Sequence, residues 1–267
     1  MPPRNLDAPA KAQRHRRILA ALAADPTVRI SALAAEFGVS AETVRRDIEE
    51  LSRQGAVRRT YGGASVTHAG LQPAVGQRER MAVAERARIG AAAAALVEPG
   101  AVLMVDAGST TAHFARALAA REPQGTVLTN SLGVAEALGA APGMRVILCP
   151  GDFYAAERAV YGPETGGFLE RFNADTALVG ASGLTVAGPS DVESRASWVK
   201  RAMLGQAARR VLLVDAGKFG KAHLERVCAL ATLTDLVTDA PPPAELAAAL
   251  ERAGVRVTIA PAEAKGC

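Results

Sequence analysis

Six consecutive residues, Asp106-Ala-Gly108-Ser109-Thr110-Thr111, have the types and spacing of an anion cradle. They follow the apolar run Ala101–Val105 and precede a helical pattern over 111–121. Gly108 lets backbone approach an anion closely. Ser109, Thr110 and Thr111 offer hydroxyls and N–H groups at a helix N-terminus, where the peptide dipoles favour negative charge. No Gly-Lys-[Ser/Thr] follows, so this is not a Walker loop, and the chain holds no G-x-G-x-x-G. Many helices that bind nothing also start on Ser or Thr, and Asp106 would serve equally as a capping carboxylate, so the turn alone leaves both readings open.

Other polar residues stand where strands should end: Thr129-Asn130-Ser131, Gly151-Asp152, Gly180-Ala-Ser-Gly183 and Asp215-Ala-Gly-Lys218. Open parallel sheets bind ligands outside the carboxyl ends of their strands. Convergence of these turns predicts a small polar anion held by Asp106, Gly108, Ser109, Thr110, Thr111, Asn130, Gly151, Gly183 and Lys218. Lys218, one of five lysines, is either a partner for a phosphate or sugar hydroxyl or a solvated loop charge. His113 either reaches the ligand or is an ordinary helix histidine.

A second group of chemically apt residues lies near the N-terminus. With Val44, Ile48 and Leu51 turned inward at i, i+4, i+7, the opposite face of their helix carries Glu42, Arg46, Glu49 and Arg53, with Arg45 on the flank. Thr43, Arg45 and Arg46 fall in its first two turns, the part of a recognition helix that reaches base edges. An Arg there grips guanine bidentately or bonds a phosphate. Ser40 caps the helix, and its N-terminus favours an anion. Arg58 and Arg59, just before Gly62-Gly63, would anchor a wing on the DNA backbone. Arg45–Glu49 and Arg46–Glu50 pairs on a solvated face are the plainer alternative.

The elements that position these residues can be read from periodicity. Residues 1–10 read as a flexible leader. A helix from about Lys11 stops at Asp25-Pro26; Val28–Ile30 is a short strand; Ser31 caps a brief helix, Ala32–Phe37; Gly38-Val39 turns; and Ser40 opens a helix to about Gln54, ended by Gly55. Ala56–Thr60 and Ala64–Val66 form a hairpin. This is the layout of a winged helix-turn-helix over 11–66, followed by a linker at 67–78. Over 79–267 apolar runs at Ala101–Val105, Val127–Leu128, Val146–Leu148, Ala177–Val179, Val211–Val214, Val227–Leu230 and Val255–Ile259 alternate with helices near 85–97, 111–121, 132–140, 192–208 and 243–253. That alternation predicts an α/β domain with a mostly parallel sheet.

Charge supports the division. The 267 residues carry a formal net charge of +4. Residues 1–66 hold eleven basic and seven acidic side chains, and 67–267 hold twenty of each, so the whole excess sits in the small module, as nucleic-acid contact requires. Three cysteines, Cys149, Cys228 and Cys267, make no disulfide framework and no metal spacing; two read as buried hydrophobes and one as a tail thiol. No signal peptide and no spanning segment is evident, which predicts a cytoplasmic protein without membrane partner, metal or cofactor.

The run Ile30-Ser-Ala-Leu-Ala-Ala-Glu-Phe-Gly-Val-Ser-Ala-Glu-Thr-Val-Arg-Arg-Asp-Ile-Glu-Glu-Leu51, with Arg59-Thr-Tyr-Gly-Gly-Ala64, resembles the N-terminal signature of the DeoR family of bacterial transcriptional regulators. Asp-x-Gly-Ser-Thr-Thr at 106–111, Thr-Asn-Ser at 129–131, Asp175-Thr-Ala-Leu-Val-Gly-Ala-Ser-Gly183, Val199-Lys-Arg-Ala-Met203 and Asp215-Ala-Gly-Lys-Phe219 resemble its sensor domain. The resemblance spans about 11–240. It implies a fold similar to ribose-5-phosphate isomerase and a phosphorylated sugar as effector. Pro150-Gly151 departs from the family's common Gly-Gly, and Glu193 often has an acidic counterpart there.

The expectation is therefore a repressor of a sugar-catabolism operon, not an enzyme, partnered by operator DNA, a phosphorylated sugar and further copies of itself as a dimer or tetramer. One alternative is an aldose–ketose phosphate isomerase, with Asp106, Asp175 or Asp215 as general base. Another is a membrane- or protein-binding basic module, which the mixed charge of Glu42, Glu49 and Glu50 disfavours.

Overall fold

The computed structural model describes residues 8–24, 27–53, 57–60, 63–66 and 74–262, and its contacts divide the chain into Met1–Gln72 and Pro73–Cys267. In the first unit α1 (Ala8–Ala24) starts inside the expected leader. Pro9 sits in its first turn, where a missing N–H costs no hydrogen bond. Then follow β1 (Thr27–Arg29), α2 (Ile30–Phe37), α3 (Ala41–Arg53), β2 (Val57–Thr60) and β3 (Gly63–Val66). The order β1-β3-β2 makes a small antiparallel sheet.

Ile18, Leu33, Val44, Ile48 and Leu51 form the core of this unit, so α3 buries the face that its periodicity predicts. Gly38 ends α2 at φ +67°, a left-handed conformation that glycine takes without steric cost. Ser31 does not cap α2: Arg29 occupies that position with no side-chain bond, because β1 runs directly into the helix. Asp25-Pro26, Gln54-Gly55, Gly62, Cys267 and residues 1–7 and 67–73 lie outside the described residues.

The second unit opens with α4 (Val75–Arg78) and α5 (Val83–Ala94). The linker expected at 67–78 thus ends in a short helix, whose Val75 and Arg78 are buried. Next come β4 (Val102–Val105), α6 (Ser109–Ala119), β5 (Gly125–Thr129), α7 (Leu132–Gly139) and β6 (Met144–Leu148). A hairpin, β7 (Asp152–Tyr154) with β8 (Ala159–Tyr161), and α8 (Pro163–Leu169) follow. Then come β9 (Ala174–Gly180), β10 (Gly183–Thr185), β11 (Gly188–Asp191), α9 (Ser194–Gly205), β12 (Ala207–Leu213), β13 (Glu225–Arg226), β14 (Asp235–Thr238), α10 (Ala244–Arg252) and β15 (Arg256–Ile259).

Among the described residues the main sheet has seven parallel strands in the order β15-β14-β12-β9-β4-β5-β6. Separate apolar clusters cover its two faces, one gathering α9 and α10, the other α5, α6 and α7. The run Val227–Leu230 is not a strand of this sheet. It continues from β13, which pairs with β11, while Val227 and Leu230 are buried against the core. The strand in its place is β14, obscured in the sequence because it opens on Asp235. That carboxylate is buried but held by Arg209 at 2.7 Å and Arg256 at 3.2 Å.

Candidate functional site

Strand order reverses between β4 and β9: β5 and β6 extend to one side, β12, β14 and β15 to the other. Such a reversal opens a crevice at the carboxyl ends of the two strands. Asp106 stands at that point. Its N–H bonds Leu178 O at 3.1 Å, and its Oδ1 accepts from Gly180 N–H at 3.2 Å, tying the ends of β4 and β9 together.

The Nζ of Lys200, on α9, donates to Asp106 Oδ2 and lies 3.4 Å from Asp191 Oδ2. Asp191 also accepts from Ser182 Oγ at 2.7 Å and from Val192 N–H at 2.9 Å. Burial alone would lower the Lys200 pKa, but the two carboxylates outweigh it and hold the ammonium charged. Burial also pushes the neighbouring Tyr161 phenol up. Sequence reasoning did not single out Lys200. Its signal is a lysine in the buried stripe of a helix, with Ala196, Val199, Met203 and Leu204.

The cradle turn is built around Asn130. Its Oδ1 accepts from Ala107 N–H and its Nδ2 donates to Val160 O, both at 3.1 Å, so the side chain fastens the turn to β8. Gly108 is extended, at φ −178°, and Thr111 Oγ1 donates to its carbonyl at 3.0 Å. Ser109 and Thr110 are 6% and 8% exposed, yet their hydroxyls make no hydrogen bond to any described residue. The first-turn N–H groups of α6 have no intrahelical partners either. Donors so placed suit an anion.

Asp215 ends the stretch after β12 and is held by Arg86 of α5 at 3.2 Å. Lys218 follows in the same turn, half-buried, and burial lowers its pKa against the pull of Asp215. Gly151 and Gly183 are explained by packing. A Cβ on Gly151, at φ +139°, would fall 2.4 Å from Thr165 Oγ1, and one on Gly183 would fall 2.2 Å from Lys221 O.

Asp175 is remote from this crevice: it starts β9, and its Oδ2 accepts from Val102 N–H at 2.7 Å at the opposite end of the sheet. His113 is half-buried, and burial lowers its pKa. Glu193 caps α9, accepting from Arg195 N–H at 3.3 Å, and the Arg195 guanidinium lowers its pKa. Cys149 is buried and Cys228 only half-buried, less than expected. Among the described residues no group of His, Cys, Asp or Glu is arranged to hold a metal, and no helix is long and apolar enough to cross a membrane.

On α3, Ser40 Oγ accepts from Thr43 N–H at 3.1 Å and caps the helix. Arg45 and Arg46 project outward, with side chains 49% and 77% exposed. Both meet Glu42, at 2.5 and 3.5 Å, while Glu50 meets Lys11 at 2.5 Å. Surface pairs of this kind are weak, so the guanidiniums remain available to a stronger anion. Arg58 and Arg59 lie on β2, opposite Ser65 and Ala64 of β3; their side chains lie outside the described residues. Asp47, in the same helix, is buried and accepts from Arg14 at 2.8 Å, with His15 Nε2 at 3.2 Å. It pins α1 to α3 and so orients the exposed arginines.

Residues 14–69 match the model of the DeoR-like helix-turn-helix domain, and residues 81–240 match that of the DeoR C terminal sensor domain. The chain is 28% identical over 232 residues to the glycerol-3-phosphate regulon repressor of Escherichia coli (strain K12), covering 86% of this chain and 92% of that protein. It is 31% identical over 253 residues to the HTH-type transcriptional regulator GlpR of Haloferax volcanii, covering 92% and 96%. Ribose 5-phosphate isomerase A from Methanocaldococcus jannaschii superposes on 50% of this chain and 53% of its own, with TM-score 0.38 and 18% identity, a likeness too slight to bear on chemistry.

Proposed function

This chain belongs to the DeoR family of transcriptional regulators, and from that premise we propose that it represses an operon of carbohydrate metabolism and is released from its operator by a phosphorylated sugar. The observation that carries the effector reading is the pair of hydroxyls on the largely buried Ser109 and Thr110, with no hydrogen bond to any described residue, at the N-terminus of α6, where strand order reverses. A phosphate there accepts from both hydroxyls and from the first-turn N–H groups, and Lys218 supplies the nearby positive charge. The sugar end of the ligand extends toward Asp106 and Gly180.

Arg45 and Arg46, with Ser40 and Thr43, read the major groove, and Arg58 and Arg59 anchor the wing. One such module covers too little DNA for tight specific binding, so the active species is a homo-oligomer on repeated half-sites, acting in the cytoplasm. Effector works by differential affinity for two states, one holding DNA and one not. Isomerase chemistry is not favoured: Asp106 and Asp215 are engaged by Lys200 and Arg86, which leaves neither carboxylate as a ready base.

The test is a thermal-shift screen of the full chain against sugar monophosphates and their unphosphorylated sugars. Stabilisation of about 2–4 kcal/mol at saturating ligand, seen only with the phosphate, is the expected result. Equal response to the free sugar, or none to any phosphate, would remove the reading.

A further inference from the structure

The chain leaves the first unit at Gln72 and enters the second at Pro73. The described stretch just beyond, Ala74–Arg80, is fastened on three sides. Val75 N–H donates to Ala156 O at 2.9 Å, in the turn between β7 and β8. From the same turn Glu157 takes both prongs of the Arg78 guanidinium, at 2.8 and 2.7 Å, with 8% and 17% of the two side chains exposed. Arg86 of α5, itself held by Asp215, donates to the Arg78 carbonyl. From α6, Arg116 meets Glu79 at 2.7 Å.

These fastenings set the path of the stretch. A four-residue helix is far below the length that is stable by itself, so α4 stays where its neighbours hold it. The neighbours are also the walls of the anion crevice. The β7–β8 hairpin is bound through Val160 to Asn130, the residue that shapes the cradle turn. Helix α6 supplies the cradle from the same rod that holds Glu79. The Asp215 turn carries Lys218, which feels the charges of Asp215, Arg86 and Arg78.

We propose that Ala74–Arg80 is a strap that passes occupancy of the crevice to the chain leading into the DNA-binding unit. The inference rests on the phosphate reading and deepens it by assigning the regulation of that site. Three cations, Arg78, Arg86 and Lys218, share two carboxylates, Glu157 and Asp215. An anion at the cradle competes with Asp215 for Arg86. Once drawn away, Arg86 no longer holds the Arg78 carbonyl, and the strap loses one of its fastenings. Loosening there frees the chain at the entrance to the first unit. The coupling residues are Arg78, Glu157 and Arg86, which act through the strap.

Hydrogen–deuterium exchange of the full chain tests this, with inorganic phosphate and glucose 6-phosphate as probes and thermal shift as an independent measure of binding. The expected result is stabilisation by a probe together with faster exchange in peptides covering 74–80. Glu157→Gln cuts the Arg78 anchor without touching the cradle. It should still be stabilised by the probe, but exchange fast at 74–80 before any is added, and its hold on a duplex selected from a random DNA pool should no longer respond to the probe. Stabilisation with unchanged or slower exchange at 74–80 would overturn the strap and leave the phosphate reading standing, as would a Glu157→Gln chain whose DNA response matches the parent. No stabilisation by either probe or by any sugar monophosphate of the thermal-shift screen would overturn both.

Discussion

The ammonium of Lys200 closes onto the carboxylate of Asp106 at the point where strand order reverses, and the same ammonium lies 3.4 Å from Asp191. One cation therefore serves two buried carboxylates, and burial raises the Asp106 pKa against the pull of Lys200. In the reading proposed above, the phosphate lies at the N-terminus of α6 and the polyol toward Asp106.

Removing Lys200 tests the energetic side of that arrangement. Lys200→Met leaves Asp106 and Asp191 buried without their shared cation, and losing one partner of a buried ion group costs about 3–5 kcal/mol. Urea unfolding of the full chain should show a loss of that size in the second unit. Lys200→Met with Asp106→Asn should recover part of it, since the two sites are in contact and their effects cannot add. A loss in the double variant equal to the sum of the Lys200→Met and Asp106→Asn losses would mean that the pair is not coupled.

Asn130 is expected to act on the site from behind. Asn130→Ala deletes the acceptor for Ala107 N–H and the donor to Val160 O, both buried, at a cost of about 1–3 kcal/mol. Asn130→Asp retains the acceptor but sets a carboxylate against the Val160 carbonyl, so it should be the more damaging of the two. Both should weaken phosphate binding through a displaced turn. Calorimetric titration at a temperature where both variants remain folded checks this, and unchanged affinity would confine Asn130 to stability.

How far the sequence revealed this site depends on how local each signal is. The Ser40 cap, the inward Val44, Ile48 and Leu51, and the helix start after Gly108 involve residues within a few positions of each other, and each was readable from periodicity. Lys200 and Asp106 are 94 residues apart, and only folding brings them together. Gly151 and Gly183 have the composition of ligand turns. What makes them glycine, the approach of Thr165 and of Lys221, is visible only in three dimensions. Strand β14 stayed hidden because its buried Asp235 is satisfied by Arg209 and Arg256 on neighbouring strands, partners no window of β-pattern contains.

Lys218 gives the phosphate reading a pH signature. Burial lowers its pKa below the ordinary 10.5, with Arg86, Arg78 and Lys221 acting in the same direction and Asp215 against. A bound phosphate dianion favours the protonated lysine. Affinity should therefore be highest below the lowered pKa and fall as pH rises through it, before 10.5 is reached. A phosphate monoester is already a dianion above about pH 7, its second pKa lying near 6, so its own titration does not intervene. Titrations across pH 7 to 10 on the parent and on Lys218→Met should show the fall in the first and a flat, weaker profile in the second. A parallel fall in both would assign it elsewhere.

Two residues in the same helix should lose DNA binding for different reasons. Arg45 is half-exposed and, among the described residues, bonded to the equally exposed Glu42, a pair worth about 0–1 kcal/mol to stability. Arg45→Ala should leave the first unit folded, yet cost about 1–3 kcal/mol of binding if the guanidinium grips a base edge. Asp47 is buried, and its carboxylate is the shared acceptor for Arg14 and His15, which join α1 to α3. Asp47→Ala should destabilise the unit by about 1–3 kcal/mol, a large share of the stability of so small a core. Circular dichroism melts and fluorescence anisotropy on a selected duplex separate the two. The Arg45 variant should bind weakly at every temperature with an unchanged melt, and the Asp47 variant should melt early and recover binding on cooling. An Arg45→Ala chain that binds as tightly as its parent would move recognition away from the start of α3.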